Sequence, residues 1–208
     1  MIDLERTESE EVVSFAPSIE RSERTVEGER PRFMQETRRL TGAERGTAIH
    51  TIMEHIDFSK VYDAAAVATL LQQLVERQLL TEEERKAVDV LEIVSFFDSS
   101  VAHELRQSQR VYRELPFTYV YEPDEGIEQL LQGIIDCVYR SEAGELVILD
   151  YKTDYVSNED GHEQLIDRYT FQLNTYRHAL EQITKERVDR LLIYSFHLNE
   201  VVTLPKVE

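Results

Sequence analysis

Two apolar runs joined by a short polar turn constrain the fold of this chain more than any other feature. The first run covers residues 132–139 and contains Asp136, and the second covers 146–154 and contains Asp150 directly after Leu-Val-Ile-Leu. The turn at 140–145 is polar and contains Gly144, which is typical of a hairpin loop. The pattern predicts two antiparallel strands that bring two acidic residues to the same end of a sheet.

The order of the charged residues in the second run indicates chemistry at that end. Because side chains alternate between the faces of a strand, Asp150 and Lys152 share one face and Tyr151 takes the other. An acid that follows an apolar run costs free energy unless a charge compensates it. Lys152 and a divalent cation would do so, since carboxylate oxygens bind hard cations. Such a cation polarises a phosphate and activates water. The alternative is a hairpin with a surface salt bridge.

A helix is predicted over residues 41–57, and it carries a histidine that could join the acids. Thr41 followed by Glu44 forms a capping-box pattern at its start. Four apolar residues recur on one face of this helix: Ile49, Ile52, Met53 and Ile56. His50 lies beside this stripe, so from spacing alone it is either a packed residue at the edge of the core or a functional ligand. His55 falls on another face, and we interpret it as structural.

The remaining pattern alternates between helices and strands and predicts an α/β fold with a central mixed sheet flanked by helices. Helices are expected over 61–80, 82–97 and 98–107, with a second capping box at Thr81 and Glu84. A longer helix is expected over 163–185. Strands are expected over 111–121, 191–196 and 200–204, in addition to the hairpin. We interpret the helical stretch before the sheet as an insertion.

Two further features bear on the site. Glu114 lies in an otherwise apolar run next to Pro116, and the proline indicates an edge strand or a bulge. Glu114 is either an acid that contacts the metal ligands without binding the metal itself or, by the interpretation we prefer, a surface acid. Gln172 and Tyr176 are four residues apart on the last helix, so the amide and the phenol point the same way, toward a phosphate or a base.

These segments resemble a known family. The sequences G-I-I-D at 133–136 and I-L-D-Y-K-T-D at 148–154 are similar to the motifs of the PD-(D/E)XK nuclease superfamily, in its RecB-type branch. The helix segment E-R-G-T-A-I-H at 44–50 and the Q-x-x-x-Y pattern at 172–176 match that branch too. Together with P-R-F at 31–33, they look like the C-terminal nuclease domain of the A subunits of AddAB helicase–nucleases. The resemblance covers about residues 31–205.

The resemblance implies a role for each motif residue. Asp136, Asp150 and Lys152 would be catalytic. His50, the two aspartates and the main-chain carbonyl of Tyr151 would hold Mg²⁺ or Mn²⁺. Gln172 and Tyr176 would position DNA. The implied fold is a restriction-endonuclease-like core with a helical insertion.

The resemblance also implies a biological setting. The domain would hydrolyse DNA phosphodiester bonds, as the nuclease for the 3′-ended strand in bacterial double-strand break repair. It would act in the cytoplasm with a helicase motor in cis and a B-type nuclease subunit. No G-x-x-x-x-G-K-[ST] motif of such a motor occurs here, so we expect an excised domain or a stand-alone relative. A non-catalytic scaffold that binds a partner protein remains an alternative.

Charge and composition limit these possibilities. The net charge is −18, which argues against an autonomous, tight DNA binder, because such proteins usually have a basic surface. Another part of a larger assembly would then deliver the DNA. Cys137 is the only cysteine, which excludes an intrachain disulfide and a cluster held by this chain's cysteines. It also fits a reducing cytosol. No apolar run approaches the roughly 20 residues of a membrane span.

The organisation predicted from the sequence has two parts. Residues 1–30 are polar and acidic, which predicts a flexible linker, and the ordered part would begin at Pro31. Residues 31–208 would form the nuclease domain, with a helical part at about 41–107 and a catalytic α/β core at about 109–205.

Overall fold

The computed structural model describes residues 40–121 and 129–207. The predicted linker at 1–30 and the expected start of order at Pro31 lie outside the described residues. The described helices before the sheet are α1 (Gly42–His55), α2 (Ala64–Glu76), α3 (Glu82–Ala87), α4 (Val90–Phe97) and α5 (Ser100–Gln107). They are followed by β1 (Val111–Tyr121), β2 (Gln129–Arg140), β3 (Leu146–Lys152), α6 (Gly161–Thr184), β4 (Arg190–Ser195) and β5 (Glu200–Leu204).

The strands form one mixed sheet in the order β1-β2-β3-β4-β5. Neighbouring strands are antiparallel, except β3 and β4, which are parallel and joined through α6. Helices α1 to α5 pack on one face of the sheet, and α6 packs on the other. The predicted α/β class, with a central mixed sheet flanked by helices, is therefore confirmed.

The helical layer shares an apolar core with the sheet. The stripe on α1 is buried, with Ile49, Ile52 and Ile56 fully inaccessible and Met53 nearly so. Aromatic side chains from the sheet continue this core, and Phe96 of α4 packs edge-on against Tyr151 and Tyr194. The face of α1 predicted to be apolar therefore holds this helix against the sheet, next to the C-terminal end of β3 and to Asp136 within β2.

The predicted ends of several elements agree with the structure, because local capping determines them. Thr41 accepts from the Glu44 N–H, and the Glu44 carboxylate accepts from the Thr41 N–H at 2.8 Å. The same capping box forms at Thr81 and Glu84. The observed bounds of β1 and β5 are those predicted from the sequence. None of the helices in the described residues combines the length and apolar character needed to cross a membrane.

The single helix predicted over 82–97 is wrong. The chain forms α3 and α4 instead, with Val88 extended between them. Asp89 causes the break, because its carboxylate accepts the Leu91 N–H at 2.9 Å and starts a new helix. A residue that caps a helix N-terminus well competes with continuation of the preceding helix.

Strand β1 is an edge strand, as Pro116 predicted. Its register with β2 is constant, but the pairing is interrupted at Glu114 and Asp136. At this interruption the odd-numbered side chains of both strands change from one face of the sheet to the other. Val111 and Cys137 pack toward helices α1 to α5, whereas Phe117 and Ile135 pack toward α6. The change on β1 occurs at Glu114, whose φ of 45° lies in the left-handed region. This change of face brings the Glu114 carboxylate into the group of site residues described below.

Candidate active site

The β2–β3 hairpin brings the two predicted acids together, as the sequence pattern indicated. The register pairs Cys137 with Leu149, one residue before each acid is reached. Beyond this pair, the Tyr151 N–H donates to Asp136 Oδ2 at 2.8 Å. Both acids are nearly inaccessible, with 9% of Asp136 and 2% of Asp150 exposed. Two carboxylates therefore lie side by side where little water can solvate them.

Lys152 shares a face of β3 with Asp150, as strand alternation predicted. Its Nζ lies 2.6 Å from Asp150 Oδ2, and Gln172 Oε1 accepts a hydrogen bond from it at 3.3 Å. Within the described residues, Asp150 Oδ2 accepts no well-aligned hydrogen bond, so the ammonium compensates it mainly by charge. Tyr151 points to the opposite side of the sheet and is buried in the core there.

His50 reaches the acids from the other layer of the molecule. Its Nδ1 lies 3.5 Å from Asp136 Oδ1, and its ring is part exposed at the mouth of the site. Gly46, one turn earlier on α1, permits this approach: a Cβ there would lie 2.9 Å from Thr153 Oγ1. His55 instead bonds the Thr51 carbonyl of its own helix at 2.9 Å, which fits its predicted structural role.

Glu114 belongs to the same group of residues. Single ligand atoms of His50, Glu114 and Asp136 all lie within 4.8 Å of one another. Of the two interpretations drawn from the sequence, the structure therefore favours a site acid over a surface acid. The change of face in β1 that carries Glu114 here needs a left-handed residue, and periodicity did not reveal it.

Crowding at the site raises the pKa of Asp150, Glu114 and His50. Burial raises the pKa of Asp150, and the neighbouring Asp136 charge raises it further. Burial and Asp136 together raise the pKa of Glu114 to about 7. Burial lowers the pKa of His50, but its hydrogen bond to Asp136 and that charge prevail and raise it to about 9. The cluster holds more negative charge than its neighbours neutralise, a situation that a cation would relieve.

Helix α6 places a polar row, formed by Gln172 and Tyr176, beside Lys152. Gln172 uses both ends of its amide, because Oε1 faces Lys152 and Nε2 donates to the Tyr176 hydroxyl at 2.8 Å. The Tyr176 ring packs edge-on against Phe117, and both rings lie over Gly133. A Cβ at Gly133 would lie 2.8 Å from the Phe117 ring, so the glycine of G-I-I-D makes room for this pair.

Sequence reasoning missed a tyrosine next to the lysine. The Lys152 Nζ lies 4.2 Å from the centre of the Tyr169 ring, over its face. The Tyr169 hydroxyl donates to Asp154 Oδ2 at 2.7 Å. Tyr169 precedes Gln172 by three residues on α6, and this spacing is the signal that could have revealed it.

Comparison with known proteins agrees with these motifs. A family model described as the PD-(D/E)XK nuclease superfamily matches residues 20–205. The A subunit of the ATP-dependent helicase/nuclease of Anoxybacillus flavithermus is 42% identical over 169 residues, which make up 81% of this chain and 14% of that protein. The proteins of the same name from Lysinibacillus sphaericus and Bacillus velezensis are 36% and 39% identical and each covers 96% of this chain.

The relatives are much longer than this chain, which spans 14%, 16% and 17% of these three proteins. A crystal structure of the protein VC1899 from Vibrio cholerae aligns with 74% of this chain and 43% of its own, at 16% identity. Its TM-score of 0.29 is too low to establish a common fold.

Proposed function

This chain belongs to the PD-(D/E)XK nuclease superfamily, and on that premise we propose that it is a metal-dependent deoxyribonuclease domain that hydrolyses phosphodiester bonds in DNA. One observation carries the proposal: a histidine from α1, the two hairpin aspartates and Lys152 converge at one end of the sheet. His50 is far from the hairpin along the chain, so the fold, and not local sequence, brings it to the aspartates and the lysine.

The donor atoms at this end suit a divalent cation. His50 offers a ring nitrogen, Asp136 and Asp150 offer carboxylate oxygens, and the main-chain carbonyl of Tyr151 would be a further ligand. An all-oxygen group would favour Mg²⁺, whereas an imidazole among the ligands also suits Mn²⁺. A cation bound there would polarise a phosphate oxygen and lower the pKa of a bound water. Glu114 lies close enough to His50 and Asp136 to serve as an additional ligand or as an acceptor for a bound water.

Lys152 would act as a fixed cation and not as a base. Burial lowers its pKa, but Asp150 outweighs burial and raises it to about 12. An ammonium in that state keeps its protons at neutral pH. It would orient the attacking water and offset the charge that develops on the phosphate in the transition state.

Gln172 and Tyr176 would position the scissile strand beside the lysine. The Gln172 amide is occupied by Lys152 and Tyr176, so its main effect would be to hold both of them. The Tyr176 hydroxyl accepts from Gln172 and keeps its own proton, which can be donated to a phosphate oxygen.

The setting of the domain is proposed from its relatives. They are named as A subunits of ATP-dependent helicase/nucleases, so we propose that this domain cuts DNA delivered by a helicase part of the same polypeptide. It would pair with a B-type nuclease subunit, cut the 3′-ended strand and serve break repair in the cytoplasm. The net charge of −18 supports delivery, because the domain repels a polyanion beyond the site itself.

A cleavage assay with and without the second aspartate tests the proposal. The chain should degrade a DNA oligonucleotide in Mg²⁺ or Mn²⁺ and not in EDTA. Asp150→Ala should abolish cleavage while circular dichroism stays unchanged, because the metal performs the activation. Asp167→Ala removes an exposed acid from α6 and is the matched control, which should cleave normally. Full activity of Asp150→Ala with unchanged metal dependence would overturn the assignment.

A further inference from the structure

We propose that Tyr169, anchored by Asp154, is a positioning residue that fixes the Lys152 ammonium at the reacting end of the site. This inference rests on the proposed nuclease function. It assigns a role to two residues outside the acids, the lysine, the histidine and the Gln172–Tyr176 pair.

Among the described residues, three groups contact the Lys152 ammonium, and each restricts its position through a different interaction. Asp150 Oδ2 lies at 2.6 Å on its own strand, Gln172 Oε1 at 3.3 Å on α6, and the Tyr169 ring centre at 4.2 Å. An ammonium has three protons: one is donated to the Gln172 amide oxygen, and Asp150 attracts a second mainly by charge. The ring attracts the cation through its π face without offering an oxygen acceptor. It therefore confines the lysine and leaves its last proton free for a water or a phosphate oxygen.

A second contact holds the ring in position. The Tyr169 hydroxyl donates to Asp154 Oδ2 at 2.7 Å, and Asp154 lies two residues beyond Lys152 on the segment that leaves β3. The phenol stays neutral, because burial and the Asp154 hydrogen bond raise the pKa of Tyr169 to about 12. The ring is thus held between α6 and the chain that carries the lysine, which explains the final aspartate of D-Y-K-T-D.

The arrangement matters because a lysine side chain is long and flexible. Without the ring, Asp150 and Gln172 would be left to hold the ammonium, and a close carboxylate draws it away from a phosphate. A face-on ring at an almost buried site favours the charged form and one side-chain direction. The prediction is a loss in the chemical step and not in DNA binding, since Tyr169 acts only through Lys152.

Nuclear magnetic resonance of the metal-free full chain tests the contact directly. The chain has five lysines, so selective labelling of lysine Cε gives few signals, and Lys152→Arg identifies the one that matters. Protons above an aromatic ring shift upfield. The Lys152 signal should therefore lie upfield of the other four in the wild type. In Tyr169→Phe, which keeps the ring but loses its bond to Asp154, it should still lie upfield but by a smaller margin. In Tyr169→Leu it should move to join them.

Steady-state cleavage of a DNA oligonucleotide at saturating Mn²⁺ tests the role. Tyr169→Leu should lower kcat about tenfold, equivalent to about 1.4 kcal/mol, with KM within about twofold of the wild type. Tyr169→Phe, which keeps the ring without its bond to Asp154, should recover part of that loss. Tyr155→Leu is the matched control: this tyrosine is 80% exposed, lies three residues after Lys152 and packs on His197, so neither readout should change.

Each outcome has a separate meaning. An unmoved Lys152 signal in Tyr169→Leu overturns the contact. If the Lys152 signal moves in Tyr169→Leu while kcat is unchanged, the positioning role is overturned. A rise in KM alone overturns it too. If Tyr169→Leu loses its overall amide spectrum, that variant reports on folding only. The decision then rests on Asp154→Ala, which removes the acceptor of the Tyr169 hydroxyl and keeps the ring. There the Lys152 signal should shift part of the way, and an unchanged signal together with unchanged kcat overturns the proposal. A wild-type chain that never cleaves DNA, with the Lys152 signal still upfield, defeats the proposed function and leaves the contact standing.

Discussion

Apart from Glu114 on β1, the site is assembled from two regions of very different character. The unit formed by β2, β3 and α6 is continuous in sequence and supplies both aspartates, the lysine and the polar row on α6. The helical layer contributes one residue, His50, from a helix that precedes this unit by five elements of the fold. The first region performs the chemistry through contacts built into a hairpin. The second depends on how one helix packs on the sheet. Changes in the packing of α1 should therefore affect mainly metal binding, whereas changes in the hairpin, which carries both aspartates and Lys152, should affect the chemical step as well.

The largest effect is expected within the continuous unit. Lys152→Gln removes the ammonium and should lower kcat roughly 10²- to 10³-fold, as loss of a charge-stabilising donor does in other active sites. Metal affinity should stay constant or rise, because a cation is removed from beside Asp150. Calorimetric titration with Mn²⁺ and cleavage rates measure the two quantities. A variant that loses metal but keeps kcat would reverse the roles given to the two regions.

His50→Ala tests the contribution of the other region. Removal of this ring should weaken Mn²⁺ binding by at least the roughly 10–100-fold that loss of a supporting metal partner costs. Cleavage at saturating metal should recover a large part of the wild-type rate, since Asp136, Asp150 and Lys152 remain. His55→Ala, on another face of the same helix, is the control and should bind Mn²⁺ normally. Equal affinities in both variants would make His50 a packing residue.

Gly46→Ala tests whether the position of α1 on the sheet controls metal binding, without changing any ligand. The new methyl group would lie 2.9 Å from Thr153 Oγ1 and should displace α1 from the end of β3, at about 1–3 kcal/mol of stability. Mn²⁺ affinity should fall together with stability. Gly42→Ala, on the first turn of the same helix, meets no atom within 4 Å and should be neutral or stabilising. Urea unfolding of the two variants gives their free energies of unfolding, and the difference separates the steric clash at Gly46 from the general effect of alanine in a helix. Equal stabilities for both variants would show that Gly46 is not needed for the packing of α1.

The smallest effect concerns the start of that helix. Thr41→Ala removes the side-chain cap of α1 and should cost about 1 kcal/mol. His50 lies more than two turns further on, so Mn²⁺ affinity should not change. A loss of metal binding in this variant, with little change in unfolding midpoint, would mean that the whole of α1 moves as a unit.

The sequence predicted the continuous unit well because its rules are local. Strand alternation placed Asp150 and Lys152 together, the polar turn predicted the hairpin, and helical spacing paired Gln172 with Tyr176. It predicted the capping of α1 for the same reason. The role of His50 depended on family resemblance, since its spacing fits a core edge equally well.

Other features were not predicted, either because two local signals compete or because the features arise from tertiary structure. The break between α3 and α4 depends on whether Asp89 caps or continues a helix, and both are compatible with the pattern. Glu114 enters the site through a left-handed residue in an edge strand, which apolar periodicity does not register. The contact of Tyr169 with Lys152 requires the angle at which α6 crosses the sheet.

The central claim is that the two regions share one cation, and a crystal structure of the chain soaked in Mn²⁺ tests it most directly. Anomalous scattering should show an ion at about 2.0–2.3 Å from a His50 ring nitrogen and from oxygens of Asp136 and Asp150. An ion held by the aspartates alone, with the His50 ring turned into the core beside Met53, would contradict the claim and reduce α1 to a structural helix.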